Sequence, residues 1–171
     1  MTEPFLALPS TQYKSSFIDA VHEFIKEDRW RGWKPSLLRS EFESYVENVL
    51  LMETDPPAGF VPQTTYWMIA DDQYVGRTSI RHHLNASLET FGGHIGYEVR
   101  PSMRRMGYGT LMCRLVIVEA RKLGIDRILI TCDDDNIGSQ KIIEANGGIL
   151  QDKVDNGRPA LTRRYWIEAS E

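Results

Sequence analysis

The chain has 171 residues, 42% of them hydrophobic, and carries 20 Lys plus Arg against 24 Asp plus Glu, a formal net charge of −4. That length suits one domain spanning 1–171, burying roughly 70% of the surface its unfolded chain exposes, and the acidic balance argues against a nucleic-acid coat. No apolar run approaches the ~20 residues needed to cross a bilayer, and the first residues lack the basic start and apolar stretch of a signal peptide, so the expectation is a cytoplasmic protein that engages neither nucleic acid nor membrane. The two cysteines, Cys113 and Cys132, have no metal-ligand spacing and read as buried, reduced thiols.

Ser10 or Thr11 can cap a first helix that runs to about Glu27, with Phe17, Val21, Phe24 and Ile25 on one side. After a break at Trp30 to Pro35, Leu37, Leu38, Phe42, Tyr45, Val46, Val49 and Leu50 recur at spacings of three and four, which predicts one further helix from Ser36. Pro56, Pro57, Gly59 and Pro62 end it in a loop. The period then changes. Thr64 to Ala70 is rich in aromatic and β-branched residues and is followed by the turn signal Asp71-Asp72 and a second strand from Tyr74 to Leu84, an antiparallel hairpin. Asn85 to Gly93 reads as a polar loop, and His94 to Arg100 as a strand stopped at Pro101. From Gly109 a helix runs to its stop at Gly124, with Arg121 and Lys122 in the last turn. Ile128 to Thr131 is a short apolar strand of the kind covered on both faces, parallel to the previous one across that helix. Asn136 caps a helix to about Ala145, and Ile149 to Val154 and Arg163 to Ile167 are the last strands. The pattern is α/β (α+β), one mixed sheet flanked by helices.

The segment VRPSMRRMGYGT, Val99 to Thr110, joins a strand end to a helix start through two glycines and carries three arginines, Arg100, Arg104 and Arg105, with no acid between. Glycines let a ligand approach the backbone, and the free amides of a first helical turn favour an anion such as phosphate. A P-loop is excluded because no Gly-Lys-Ser/Thr follows. A dinucleotide fingerprint is excluded because Met112 stands where the third glycine is needed for close helix–strand packing.

What remains is Arg/Gln-x-x-Gly-x-Gly/Ala, met by Arg104, Gly107 and Gly109. In that context the segment resembles the coenzyme A loop of the GNAT superfamily of N-acetyltransferases. The similarity covers about Tyr66 to Leu150, and IRHHLN (Ile80 to Asn85) with GGHIGYEVRPS (Gly92 to Ser102) is similar to a bacterial subgroup of predicted acetyltransferases. The resemblance implies a helical acceptor-side region at about 10–53, a cofactor core at about 64–150, and a mostly antiparallel twisted sheet with a splayed strand pair. It implies acetyl-CoA as co-substrate, no metal, a small-molecule amine acceptor, and a homodimer as a possible assembly.

Carried onto this sequence, the resemblance implies that Val99 and Arg100 lie along the pantetheine arm. Arg104, Arg105, Met106, Gly107, Tyr108, Gly109 and Thr110 would receive the pyrophosphate, and Asn136 and Ser139 would contact the arm. A free alkyl amine, with a pKa near ~10.4, must lose a proton before it attacks a thioester. Glu98 is the candidate base, its alternative being a carboxylate paired with Arg81 or Arg100; its side chain alternates with that of Tyr97. Arg81, Asn85 and His94 are candidate acceptor ligands, with a strand-end salt bridge and a turn residue as the alternatives for the first two. His82, His83 and His94 are the other candidate bases, and of the adjacent His82 and His83 at most one can face the site. Trp30 and Trp33 are candidates for lining the acceptor pocket. Many members carry a tyrosine acid seven residues after the asparagine, and here that position is Ile143. The alternatives to a small-molecule N-acetyltransferase are a non-catalytic acyl-CoA binding module and a protein or peptide N-acetyltransferase.

Overall fold

In the computed structural model, which describes residues 3–169, Ser10 caps a single 3₁₀ turn by accepting from Gln12 N at 3.2 Å. The turn feeds α1 (Lys14–Lys26), whose Phe17, Ile18, Val21 and Phe24 are buried on one face. The single helix expected from Ser36 is two, α2 (Pro35–Ser40) and α3 (Phe42–Leu51). The cause is local: Ser40 Oγ donates to the Leu37 carbonyl at 2.8 Å, the same oxygen that Glu41 N uses at 3.0 Å, and Glu41 leaves helical geometry at φ −111°, ψ 23°. The apolar period survives the break, so Leu38, Phe42 and Val46 still reach one core.

Seven strands form one sheet in the order β1-β2-β3-β4-β5-β7-β6. They are β1 (Phe5–Ala7), β2 (Gln63–Ala70), β3 (Gln73–Arg81), β4 (Ile95–Val99), β5 (Ile128–Asp133), β6 (Ile149–Val154) and β7 (Thr162–Ile167). β2 and β3 make the expected hairpin, turning at Asp71 and Asp72, both left-handed at φ 46° and 59°. β1 is not apparent in the sequence pattern; its three residues pair with Trp67 to Ile69. A short helix, α4 (Ala86–Thr90), interrupts the expected polar loop, capped by Asn85, whose Oδ1 accepts from Leu88 N at 3.0 Å. α5 (Tyr108–Lys122) and α6 (Ile137–Ala145) follow the expected boundaries.

The sheet has two covered faces. On one, α1 to α3 hold an aromatic cluster around Phe17, which stacks on Trp67 at 4.8 Å and meets Phe42, Tyr45 and Tyr74 within 5.6 Å. On the other, Cys113, Val116 and Ala120 of α5 and Ile143 of α6 pack over Ile80, Ile95, Ile130 and Tyr165. Both cysteines are free and buried.

One joint in this sheet differs from the others. β3 and β4 share five cross-strand pairs and β5 and β7 six, yet the parallel neighbours β4 and β5 meet only at Ile95 and Ile130. From there the strands splay, and the backbone of β4 beyond Ile95 has an edge that faces a gap instead of a strand.

Candidate active site

A cleft of about 540 Å³ occupies that gap. Its walls are Tyr97, Glu98 and Val99 of β4, Arg104, Arg105 and Gly107 of the connecting loop, Gly109 and Thr110 at the start of α5, and Asn136, Gly138, Ser139 and Ile142 around the start of α6. Arg29 closes it from the loop after α1.

The loop takes its shape from two left-handed residues, Arg105 at φ 61° and Gly107 at φ 84°. Gly107 is also the residue from which α5 begins, and the first N–H groups of a helix have no partner inside it. Gly109 leaves room that any side chain would take: a Cβ there would lie 2.7 Å from Ile142 Cδ1 and 3.7 Å from Val99 Cγ2. A glycine cradle, the start of a 15-residue helix and adjacent guanidinium groups fit a pyrophosphate, and the unpaired edge of β4 fits an amide-bearing chain. The residues present therefore suit coenzyme A. Arg104 is tied at both ends, its Nε donating to the Val99 carbonyl at 3.1 Å and its Nη1 to Glu27 at 2.8 Å.

Several expected residues join this cleft and others do not. Val99, Arg104, Arg105, Gly107, Gly109, Thr110, Asn136, Ser139 and Glu98 line it. Met106 points to solvent, 61% exposed, and Tyr108 packs against the small core of Met68, Ala70, Val75 and Met112. Arg100 needs correcting as a cofactor ligand: its buried side chain turns the other way, donating to Glu23 Oε1 at 2.8 Å and to Ser16 Oγ at 3.2 Å. Glu23 in turn accepts from Ser102 N at 2.9 Å; burial opposes its charged form, but these hydrogen bonds hold its carboxyl below the usual value.

The three acceptor-side expectations also move. Arg81, Asn85 and His94 do not line the cleft; His94 and Arg81 hold the corner where β4 meets β5. His94 N donates to the Leu129 carbonyl at 2.7 Å and its Nδ1 accepts from Leu129 N at 2.9 Å, which stitches β4 to β5 just before the splay. Burial, and then Arg81, push its pKa down, so the ring is held neutral with its proton on Nε2. Arg81 Nη1 donates to the carbonyls of Gly92 and Gly93 at 3.0 and 3.1 Å. A Cβ at Gly93 would strike the Leu129 carbonyl, so this corner depends on glycine. Asn85 is the cap of α4. His82 bonds Thr64 Oγ1 through Nε2 at 2.9 Å. Among the described residues, no group of three or more His, Cys, Asp or Glu could hold a metal.

Glu98 pairs with neither Arg81 nor Arg100. Arg77 Nε donates to its Oε1 at 2.6 Å and Arg29 Nη2 to its Oε2 at 3.0 Å. Arg77 sits opposite Glu98 in the β3–β4 register and lies over the Trp30 ring at 4.6 Å. Burial works against the Arg77 charge, but Glu98 together with Tyr74 and Tyr45 outweighs it, so its pKa is raised. Each carboxylate oxygen keeps a second lone pair for another donor.

Tyr97, the adjacent residue, faces the other way. Its Oη lies 2.8 Å from Ser139 Oγ across the cleft, and burial raises the phenol pKa so that it stays protonated. No local sequence pattern marks this hydroxyl pair, whose residues are 42 apart. Ile143, where a tyrosine acid would stand, is fully buried in the core, and its neighbour Ile142 meets the cleft instead. Trp30 and Trp33 stack on one another at 4.8 Å beside the Arg77–Glu98 pair.

The model of the acetyltransferase (GNAT) domain matches residues 12–149. Among solved structures, the chain is similar to RimL, a ribosomal-protein α-N-acetyltransferase in complex with coenzyme A, at 17% identity and TM-score 0.70, over 99% of this chain and 96% of that one. It is similar to the microcin C7 self-immunity acetyltransferase MccE in complex with acetyl-CoA and AMP, at 17% identity and TM-score 0.70, over 97% and 92%. The aminoglycoside acetyltransferase AAC(6′)-Ib with coenzyme A is likewise similar, at 14% identity and TM-score 0.65, over 97% and 95%. No curated protein matches the sequence. The solved relatives share the fold and differ in acceptor, so the acceptor does not follow from the likeness. With the family model spanning 12–149 and the splayed sheet answering to it, the chain belongs to the GNAT acetyltransferases and is an acetyl-CoA-dependent acetyltransferase.

Proposed function

We propose that the chain moves the acetyl group of acetyl-CoA directly onto the primary amine of a small, amino-acid-like acceptor. The observation that carries this reading is the alternation of Tyr97 and Glu98 on β4 at the split from β5: one strand aims hydroxyls at one side of the gap and a carboxylate at the other. Bound acetyl-CoA supplies an activated acetyl thioester. The loop from Arg104 to Thr110 holds the pyrophosphate, Asn136 and the edge of β4 orient the arm, and Glu98 Oε2 takes the proton from the amine. Ser139 Oγ, backed by Tyr97 Oη, is the proton donor for the departing sulfur, the task that Ile143 cannot perform. Neither cysteine suits an acyl carrier, since burial pushes the Cys113 thiol to about 12 and the Cys132 thiol to about 11. The Glu98 side chain is only 11% exposed, which favours a small acceptor over a long peptide.

Glu98→Gln tests the assignment. Turnover falls about 10²-fold or more while the dissociation constant for acetyl-CoA holds. Turnover that stays near that of the parent removes Glu98 from the role of base.

A further inference from the structure

Two guanidinium groups share the one carboxylate of Glu98, and they are not equivalent. Arg77 is fixed by the sheet, by the Trp30 ring and by Oε1. Arg29 is 48% exposed and directs a single donor, Nη2, at Oε2, although a guanidinium has five N–H groups. Its neighbours in this region are balanced singly: Arg31 by Asp28, Arg100 by Glu23 and Arg104 by Glu27. The trio of Arg29, Arg77 and Glu98 therefore carries one surplus positive charge at the acceptor side of the cleft.

The backbone holds Arg29 there under strain. Asp28 and Trp30, on either side of it, are both left-handed, at φ 59° and 52°. A tryptophan in that region is a genuine outlier, and such strain persists where the surroundings require it.

We infer that Arg29 is a specificity residue that binds a carboxylate next to the reacting amine, so that the acceptor is a free α-amino acid or a close analogue. An amino-acid zwitterion carries ammonium and carboxylate side by side, and Glu98 Oε2 and Arg29 Nη2, 3.0 Å apart, present the complementary pair. The amine lies on Glu98 and the carboxylate takes the remaining Arg29 donors in the forked geometry that suits it. A polycation would bring a second positive charge against Arg29. A peptide amino terminus has an amide where the carboxylate should be. This inference rests on the reading of the cleft as the site of transfer to a small amine.

A panel of free L-amino acids, their carboxamides and their decarboxylated amines, each assayed with acetyl-CoA by mass spectrometry and initial rates, tests it. At least one free amino acid is acetylated with kcat/KM tenfold or more above its carboxamide and its decarboxylated amine. Arg29→Met brings that ratio toward one, mainly through KM, and Arg29→Lys keeps part of it. Carboxamides or amines acetylated as well as the free acids, or a ratio that Arg29→Met leaves intact, overturns the inference while acetyl transfer stands. Transfer to no amine of any class overturns the underlying reading itself.

Discussion

The two sides of the cleft are made of different materials. Toward α5 and α6 the wall centres on backbone and small side chains, Gly107, Gly109, Gly138 and Ser139 around two helix starts, with Arg104 and Arg105 beside them. Toward α1 to α3 it is large and charged, with Arg29, Arg77 and Glu98 backed by Trp30, Trp33 and the ring cluster around Phe17. The first wall suits a ligand that is the same in every turnover, because backbone amides and helix ends recognise phosphate whatever the neighbouring side chains are. In the proposed reaction the second distinguishes acceptors, because side chains alone decide its charge and shape.

The helical wall should fail most severely when its centre is removed. Phe17 is fully buried and touches six other rings, so Phe17→Ala costs about 3–5 kcal/mol, read as a lower denaturant midpoint. A loss below 1 kcal/mol would mean that this wall is not organised around that ring.

On the opposite wall, Gly107→Val forces a β-branched residue into φ 84° at the start of α5. Acetyl-CoA binding weakens tenfold or more by calorimetry, about 1.4 kcal/mol, with the acceptor preference of whatever turnover remains unaltered. A shifted acceptor preference would break the division of labour between the walls.

The smallest effect belongs to the corner where β4 meets β5. His94 has a depressed pKa in the folded chain, from burial and from Arg81. The unfolded chain therefore binds more protons below the ordinary value of about 6.5, so the stabilisation is complete above that pH and is lost as pH falls below it. Melting temperature drops modestly between about pH 7 and 5.5, and His94→Asn flattens that slope. A slope unchanged by the substitution would assign it to other groups.

These materials also explain what could be read without coordinates. The phosphate loop is legible because its determinants are contiguous: Arg104, Gly107 and Gly109 lie within six residues, before a periodic helix. The β2–β3 hairpin is legible for the same reason, its Asp71-Asp72 turn lying between two alternating runs. The charged wall is not, because Arg29 and Glu98 are 69 residues apart and Arg77 and Glu98 are 21 apart. Their meeting depends on strand register and on a strained loop that no local pattern encodes. Arg100 misled because it follows Val99 in sequence, while strand alternation and the turn at Pro101 send its side chain to Glu23 on α1. His94 and Arg81 misled because they lie beside the splay without facing into it; they keep its vertex closed.

In the proposed reaction acetyl passes between these walls, from acetyl-CoA directly to an amine. Free thiol followed after mixing the protein with acetyl-CoA, first alone and then with the amino-acid panel, tests it most directly. Direct transfer gives no burst of thiol without an amine, and steady release matched mole for mole by acetylated product once the acceptor is added. A stoichiometric burst with acetyl left on the protein, or thiol release that no amine stimulates, would contradict it.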